Sequence, residues 1–345
     1  MKNNKNPLVS IIIVNWNGLS QMKDCLESLS KISYKNYEVI VSDNGSTDGS
    51  LQYLDKVRNK FPKLVVVENG KNLGYAGGNN MGYEKASGNM ILLLNNDTII
   101  TPGFLEPLVD ALLSNNKIGG VQPKILSYPQ KDIIDSVGSY FINSGFLYHM
   151  GHNRKDEGRY EANTEIFTMK GACMLFRREV IERVGGIFDS DYFAYFEETD
   201  LCQRIWITGY KVVYTPKSKI YHKGGETAKK LNSGFVLYNS YKNRYYTYLK
   251  NFELSTLIKI FPMHLIYCEV STLAYLLTLN FQAALATQKA LLWNLQNIKK
   301  IREGRKRIKQ MRVVSDSSYL PKVTRSVRLS YYYHLFVTAL AGYES

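Results

Sequence analysis

The chain is poor in thiols and has none paired: Cys25, Cys173, Cys202 and Cys268 lie far apart, with no C-x-x-C spacing. That excludes a zinc ribbon and a disulfide framework, and reduced thiols suit a cytosolic setting. The N-terminal stretch M-K-N-N-K-N-P-L-V-S-I-I-I is too short in apolar residues for a signal peptide and has no small-residue cleavage site. A cytoplasmic location is therefore expected. The glycine patterns G-x-G-x-x-G and G-x-x-x-x-G-K-[ST] are missing, which argues against dinucleotide and Walker-type ATP binding. No internal repeat is visible. Acids are outnumbered, 30 Asp and Glu against 44 Lys and Arg, for a net charge of +14. The excess is local: residues 299–312, KKIREGRKRIKQMR, hold eight Lys or Arg against one Glu, which is +7 of that +14. A basic run of this kind reads as a solvated helix face, an anionic membrane contact or a nucleic-acid contact.

What is present is a globular composition, 345 residues with 45% hydrophobic and 21% charged, enough for one large core with an appendage or for two domains. Along the chain, 8–14, 37–42, 64–67 and 90–94 read as short strands, and the segments between them as helices. Ser20 is the expected cap of the first helix, whose Met22, Cys25, Leu26 and Leu29 share one face. Strands alternating with helices over about 95 residues predict βαβ units and a mostly parallel sheet covered on both faces. Each strand ends in polar residues: Asn15 and Asn17, Asp43, the glycine-rich loop from Asn72 to Asn80, and Leu92-Leu93-Leu94-Asn95-Asn96-Asp97. Any one of these could be a plain turn. Four together at the carboxyl edge of one sheet describe a place for a nucleotide, with backbone N–H groups of the glycine loop near phosphates.

Five segments in this order carry a family resemblance: S-I-I-I-V-N-W-N-G at 10–18, V-S-D-N-G-S-T-D-G-S at 41–50, N-L-G-Y-A-G-G-N-N at 72–80, L-L-L-N-N-D at 92–97 and F-E-E-T-D-L-C-Q-R at 196–204. The sequence resembles the inverting glycosyltransferases of family 2, which have the GT-A fold (an α/β, Rossmann-like sheet with flanking helices), and within them the rhamnosyltransferase-like branch. The resemblance covers about the first 230 residues. It implies a catalytic domain over 1–232, with a donor half to about residue 100 and an acceptor half over 101–232. It further implies that Val14, Asn15, Trp16, Asp43, Asn72, Gly74, Gly77, Asn79, Asn95 and Asn96 bind the donor nucleotide. Asn95-Asn96-Asp97 matches the D-x-D metal motif with only the last acid kept. Asp97 and His222 are then the implied ligands of Mg²⁺ or Mn²⁺, the remainder coming from the diphosphate and water.

The acids Glu197, Glu198 and Asp200 sit in an aromatic frame of Tyr192, Phe193, Tyr195 and Phe196. They resemble the family's E-D-x-D motif, with Glu198 at the position of the base and Glu197 as its neighbour, the assignment between the two staying open. Gly171 and Ala172, in Lys170–Arg178, together with Asp200 and Arg204 are expected about the acceptor and sugar pocket, Asp200 as a helix-capping or supporting acid and Arg204 holding the acids or the diphosphate. Residues 125–166 read as a long loop or hairpin with no assignable roles. An acceptor hydroxyl needs a positioned base, worth about two to four orders of magnitude, and one base with one metal implies a single displacement with inversion.

Beyond Leu231 the composition shifts to tyrosine and lysine, followed by an apolar span from Leu254 to Leu279 interrupted by Lys259, Pro262, His264 and Glu269. Region 233–345 is expected to be helical and basic. It is read as lying on, or partly inserted in, an anionic membrane surface at the inner face of the plasma membrane, a soluble helical subdomain or dimerisation element being the other reading. The expected partners are a nucleotide-sugar donor, dTDP-rhamnose or a UDP-sugar, and a saccharide acceptor linked to a polyprenyl diphosphate. Nucleic acid is not expected. A nucleotidyltransferase or a nucleic-acid-binding protein are the alternatives, and neither explains the acids at 197–200.

Overall fold

The computed structural model describes residues 6–224, 233–327 and Tyr331. The apolar runs form strands buried on both faces. β1 (Val9–Asn15), β2 (Tyr37–Asp43), β3 (Leu64–Glu68) and β4 (Met90–Asn95) lie parallel in the order β3-β2-β1-β4. The crossovers carry α1 (Leu19–Leu29), α2 (Ser50–Val57) and α3 (Gly74–Lys85). Side chains alternate across the sheet: Ile12, Ile40, Ile91 and Leu93 enter one core, while Ile11, Ile13, Val39, Val41, Leu92 and Leu94 enter the other.

The second half makes the sheet mixed. β11 (Cys173–Arg177) runs antiparallel to both β4 and β6 (Ile118–Ser127), and β12 (Lys211–His222) continues parallel to β6. β5 (Thr98–Ile100) and β10 (Thr164–Glu165) pair antiparallel with β12, and β7 (Ile134–Ser136) with β6. The 125–166 segment contains β7 and a separate hairpin, β8 (Ser139–Phe141) with β9 (Leu147–His149). Helices α4 (Leu105–Leu113), α5 (Arg178–Arg183) and α6 (Glu197–Ile207) cover this half.

Two local expectations are corrected. Gly18, not Ser20, precedes α1, and the backbone N–H of Leu19 donates to Asp48 Oδ2 at 2.8 Å, so a side chain from the next strand-end loop caps the helix. The glycine-rich segment is mostly helix: α3 begins at Gly74. A Cβ on Gly78 would stand 2.7 Å from Val14 Cγ1, and one on Gly82 2.5 Å from Ile12 Cγ2. These glycines let α3 lie directly on β1, at the expense of helix propensity.

The C-terminal region is helical: α7 (Ser233–Asn251), α8 (Leu254–Leu277), α9 (Phe281–Gln296), α10 (Ile298–Met311) and α11 (Asp316–Val323). The largest core runs through the expected boundary at 232, joining Tyr246, Tyr248, Phe252, Ile301, Ile308 and Tyr319 to Phe141, Phe196 and Trp206.

Candidate active site

Strand ends β1 and β4, the start of α3, the loop before α6 and the inner face of α7 enclose a cavity of about 370 Å³. Of the expected site residues, Val14, Trp16, Asn72, Gly74, Asn95, Asn96, Asp97, Gly171, Ala172, Glu197, Glu198 and His222 line it. Asn15, Asp43, Asn79, Asp200 and Arg204 are buried outside its lining, and Gly77 lies half-buried on α3 away from it.

Asn15 and Asp43 hold the strand ends together. Asn15 Nδ2 donates to Asp43 Oδ2 at 3.0 Å and lies within reach of the hydroxyls of Ser46 and Ser50, while Asn96 Nδ2 donates to Asn15 Oδ1 at 2.8 Å. Asp43 Oδ1 accepts the backbone N–H of Ser46 at 2.7 Å. Asn79 donates to the carbonyl of Tyr75, and a Cβ on Gly77 would meet Leu73. Gly74, at φ +73°, is required by close approach: its Cβ would stand 2.2 Å from the carbonyl oxygen of Phe193, which accepts the N–H of Ala76 at the start of α3.

Asp200 and Arg204 do not enter the expected sugar pocket. Asp200 is fully buried and bonded by Arg204 at 2.8 Å, Lys250 at 3.0 Å and Asn251 at 2.9 Å. These cations and the amide outweigh burial and hold its carboxyl well below the usual range. Arg204 donates onward to the carbonyls of Val184, Gly186 and Ile187. Two residues along a helix from Glu198 is about 200° of rotation, so Asp200 fastens α6 to α7 and Arg204 fastens it to the turn after α5.

Glu197 and Glu198 open α6 from a strained approach. Tyr195 and Phe196 both have positive φ, +71° and +73°, a conformation that bulky residues rarely hold without surrounding support. Asn243 Nδ2 supplies it, donating to the carbonyls of Ala194 at 2.9 Å and Tyr195 at 2.6 Å. Glu197 is 4% exposed, and its Oε2 has no hydrogen-bond partner among the described residues. Burial and the neighbouring Glu198 push its carboxyl well above the usual range. Glu198 is partly open to the cavity, and burial raises it to about 7.

The metal-motif end is set by sheet register. β12 aligns His222 with Thr98 of β5, which brings its imidazole beside Asp97, Nε2 to Oδ1 3.2 Å. The other ring nitrogen, Nδ1, is 2.8 Å from Asp135 Oδ2, and Lys170 Nζ donates to Asp135 Oδ1 at 2.8 Å. Burial alone would lower His222, but Asp97 and Asp135 outweigh it and raise it to about 9. Asp97 Oδ1 is buried with His222 Nε2 as its neighbour; the charged ring now occupies the place of a cation, and a divalent ion that displaced its proton would find the carboxylate oxygen and the freed ring nitrogen side by side. Among the described residues no group of three or more acid, His or Cys side chains surrounds a metal position. The fit is to a cation that takes few ligands from the protein and the rest from a diphosphate.

Several cavity residues carried no sequence signal. Asp135, His149 and His152 come from the segment without periodicity, and Arg244 and Ser240 from α7. Asn44 and Tyr75 lay within quoted motifs: Asn44 donates to the carbonyl of Gly74 at 3.0 Å, and the Tyr75 hydroxyl to that of Gly171 at 2.7 Å. Burial and the nearby Lys170, His152 and Arg244 hold His149 neutral, down to about 3. The cavity thus brings the acids Asp97, Asp135, Glu197 and Glu198 together with the cations Lys170 and Arg244, Lys170 being bonded to Asp135.

Residues 10–185 match the model of glycosyl transferase family 2. The N-acetylglucosaminyl-diphospho-decaprenol L-rhamnosyltransferase of Mycobacterium tuberculosis is 25% identical over 244 residues, 64% of this chain and 78% of that protein. The uncharacterized protein y4gI of Sinorhizobium fredii is 29% identical over 224 residues, 63% of this chain, and the chain spans only 24% of that longer protein. Among solved structures, S. aureus TarS 1-349 in complex with UDP-GlcNAc superposes with a TM-score of 0.59 at 15% identity, covering 88% of each chain. The mannosyltransferase PcManGT from Pyrobaculum calidifontis in complex with GDP-Man and Mn²⁺ gives 0.53 at 16% identity over 98% of this chain and 88% of that one. At such identities these likenesses establish the fold, the GT-A arrangement.

Proposed function

Since the chain belongs to glycosyl transferase family 2, we propose that it moves a sugar from a nucleotide-sugar, dTDP-rhamnose or a UDP-sugar, to a hydroxyl of a lipid-linked saccharide, with inversion. The observation that carries this reading is the arrangement of one cavity: paired glutamates of unequal exposure on one side, and the Asp97–His222 pair at the strand ends on the other.

The two glutamates divide the work by environment. Glu197, deeper and without a bond to Oε2, keeps its proton at neutral pH and offers a hydroxyl to substrate oxygens; Glu198, raised only to about 7, gives its proton up and is available as base. As the acceptor oxygen bonds to the anomeric carbon, its proton passes to Glu198 and the nucleoside diphosphate leaves with the bonding pair. Val14, Trp16, Asn72, Gly74, Asn95 and Asn96 border the space for the nucleotide, and Gly171 and Ala172 leave room for the sugar. Asp97 and His222 would hold Mg²⁺ or Mn²⁺, which when bound neutralises the charge that builds on the departing diphosphate. Asp135 fixes the ring of His222, and Lys170 fixes Asp135. The 25% identical relative's name supports a prenyl-diphosphate acceptor, and with it a position on the cytoplasmic face of the membrane.

The test is donor turnover across dTDP-, UDP- and GDP-sugars with Mg²⁺ and Mn²⁺, scored by release of nucleoside diphosphate. One donor class should be consumed, and Glu198→Gln should remove turnover while leaving nucleotide binding intact. Release of pyrophosphate, or full turnover by Glu198→Gln, would overturn the reading.

A further inference from the structure

The C-terminal hairpin turns large apolar side chains outward. On α8, Leu254, Ile258, Ile266, Val270, Leu273 and Leu277 recur every three or four residues along one stripe, with Pro262 filling the gap, and all face solvent. Leu254 is 65% exposed, Ile258 67% and Leu277 77%. On α9, Phe281, Leu285, Leu292 and Leu295 make a second exposed stripe. The fully buried residues are mostly polar or small, His264, Cys268, Ser271 and Thr272 with Tyr275 on α8, and Ala283, Ala284, Ala286, Thr287, Ala290 and Asn294 on α9, while Leu257, Phe261 and Leu265 lie half-buried against the cores beneath. The two helices are joined by a bond between the Thr272 and Thr287 hydroxyls at 2.8 Å. Water-facing helices show the opposite polarity; small residues and hydroxyl bonds inside with large aliphatics outside is how helices pack in lipid.

We propose that the α8–α9 hairpin lies in the headgroup and acyl boundary of an anionic bilayer, with both apolar stripes in the lipid. Lys259 and Glu269 fall within the exposed arc of α8, Glu269 accepting from Gln288 Nε2 at 2.8 Å, and Lys289 is exposed on α9; charges on the outer face hold the hairpin at headgroup depth, in the plane of the interface and not across the membrane. Charge selects the bilayer over a second copy of this chain. α10 follows α9 directly and exposes Lys299, Arg302, Lys306 and Lys309, beside Lys300 and Arg307, which pair with Asp191 and Asp189. A symmetric pair would bring two such helices together, whereas anionic headgroups complement each of them. The hairpin also backs the cavity: His264 bonds the carbonyl of Ser144 at 2.9 Å and packs edge-on against Phe146, a cavity-lining ring, at 4.9 Å. The membrane contact stands without the transferase reading. Only its consequence, that a lipid-linked acceptor enters past the Phe146 wall, rests on it.

Flotation of the full chain with phosphatidylcholine vesicles, with and without phosphatidylglycerol, tests the contact independently of turnover. The wild type should float, more with phosphatidylglycerol and less at high salt. Ile266→Glu with Leu273→Glu should lower vesicle affinity by about tenfold or more with an unchanged circular dichroism spectrum, and Leu254→Glu with Leu277→Glu, at the hairpin's ends, should do the same where the first pair fails to fold. Arg302→Glu with Lys306→Glu should remove the preference for anionic lipid. Equal flotation by folded stripe variants would overturn the proposal. So would a wild type that does not float but forms a dimer dissolved by those substitutions, or flotation that appears only after deletion of residues 332–345.

Discussion

Adjacent glutamates in one low-dielectric cavity cannot both ionise freely, and this gives the site a measurable pH signature. Both carboxyls are raised from the ordinary 4.5, Glu198 to about 7. A group whose folded-state pKa is raised contributes stability that is full below the unfolded value and is lost as pH rises through the folded one. The two glutamates should therefore cost stability between pH 4.5 and about 7, set against the gain from His149 and His264, which burial holds down to about 3 and which stabilise the fold as pH rises towards 6.5; turnover, which needs Glu198 ionised, rises through the same window. Glu198→Gln should flatten the stability loss and raise the melting temperature on the alkaline side, read by calorimetry across that range. A melting curve with unchanged pH dependence in the variant would reject the assignment of raised carboxyls. At the other end, Asp135→Asn should lower metal affinity by about ten- to a hundredfold, because the ring of His222 loses its charged partner. Manganese titration in the presence of a nucleoside diphosphate reads this without turnover. Asp97 and the glutamates were legible because each ends an apolar or aromatic run abruptly. Asp135 was not, since its role exists only through contact with His222, 87 residues away.

At the scale of elements, the approach to α6 is a strained turn held from outside. The positive φ of Tyr195 and Phe196 is held by Asn243 on α7, whose Nδ2 ties down two carbonyls of that turn. Asn243→Ala should leave those buried carbonyls without that donor, at about 1–3 kcal/mol, and let the turn relax. Nucleotide affinity should hold, since Val14, Asn72 and Asn96 are untouched, while kcat falls by about tenfold or more as the glutamates shift; parallel loss of nucleotide binding would show a wider collapse. Strands β1 to β4 were readable from β-branched runs with polar ends. The reading of 72–80 as a loop failed for a definite reason. Glycines count against a helix by propensity, yet Gly78 and Gly82 are spent on contact with β1, a tertiary demand that overrides local preference. Asp200 was legible as a supporting acid, but its partner Lys250 on α7 was not, since the helical rotation from Glu198 and a long-range contact decide it.

Across the whole molecule, the change of composition near residue 232 does not mark a separable unit. α7 buries Tyr245, Tyr246 and Tyr248, and Lys250 pairs with Asp200 and Asp189. A chain ending at residue 232 should lose one wall of the cavity and leave Asp200 buried without Lys250, so it should aggregate or melt far below the full chain; size exclusion and thermal denaturation check this. A truncated protein that is monomeric and as stable as the full chain would show that α7 is dispensable. The sequence showed the tyrosines of this region but not their destination, because packing of α7 against α6 is a long-range contact with no local pattern.

The chain also closes on itself late. The backbone N–H of Arg325 donates to the carbonyl of Phe141 at 2.9 Å, Thr324 bridges Phe141, and Arg325 lies over the ring of Tyr140 at 3.9 Å. The strand that begins the hairpin beside the cavity thus waits for nearly the last described residues before its edge is bonded. During synthesis, the nucleotide half can be in place while the opposite wall is still inside the ribosome. The far wall of the cavity is bonded only once this distant segment has arrived, so contacts among neighbours along the chain build the nucleotide half and a long-range contact completes the rest.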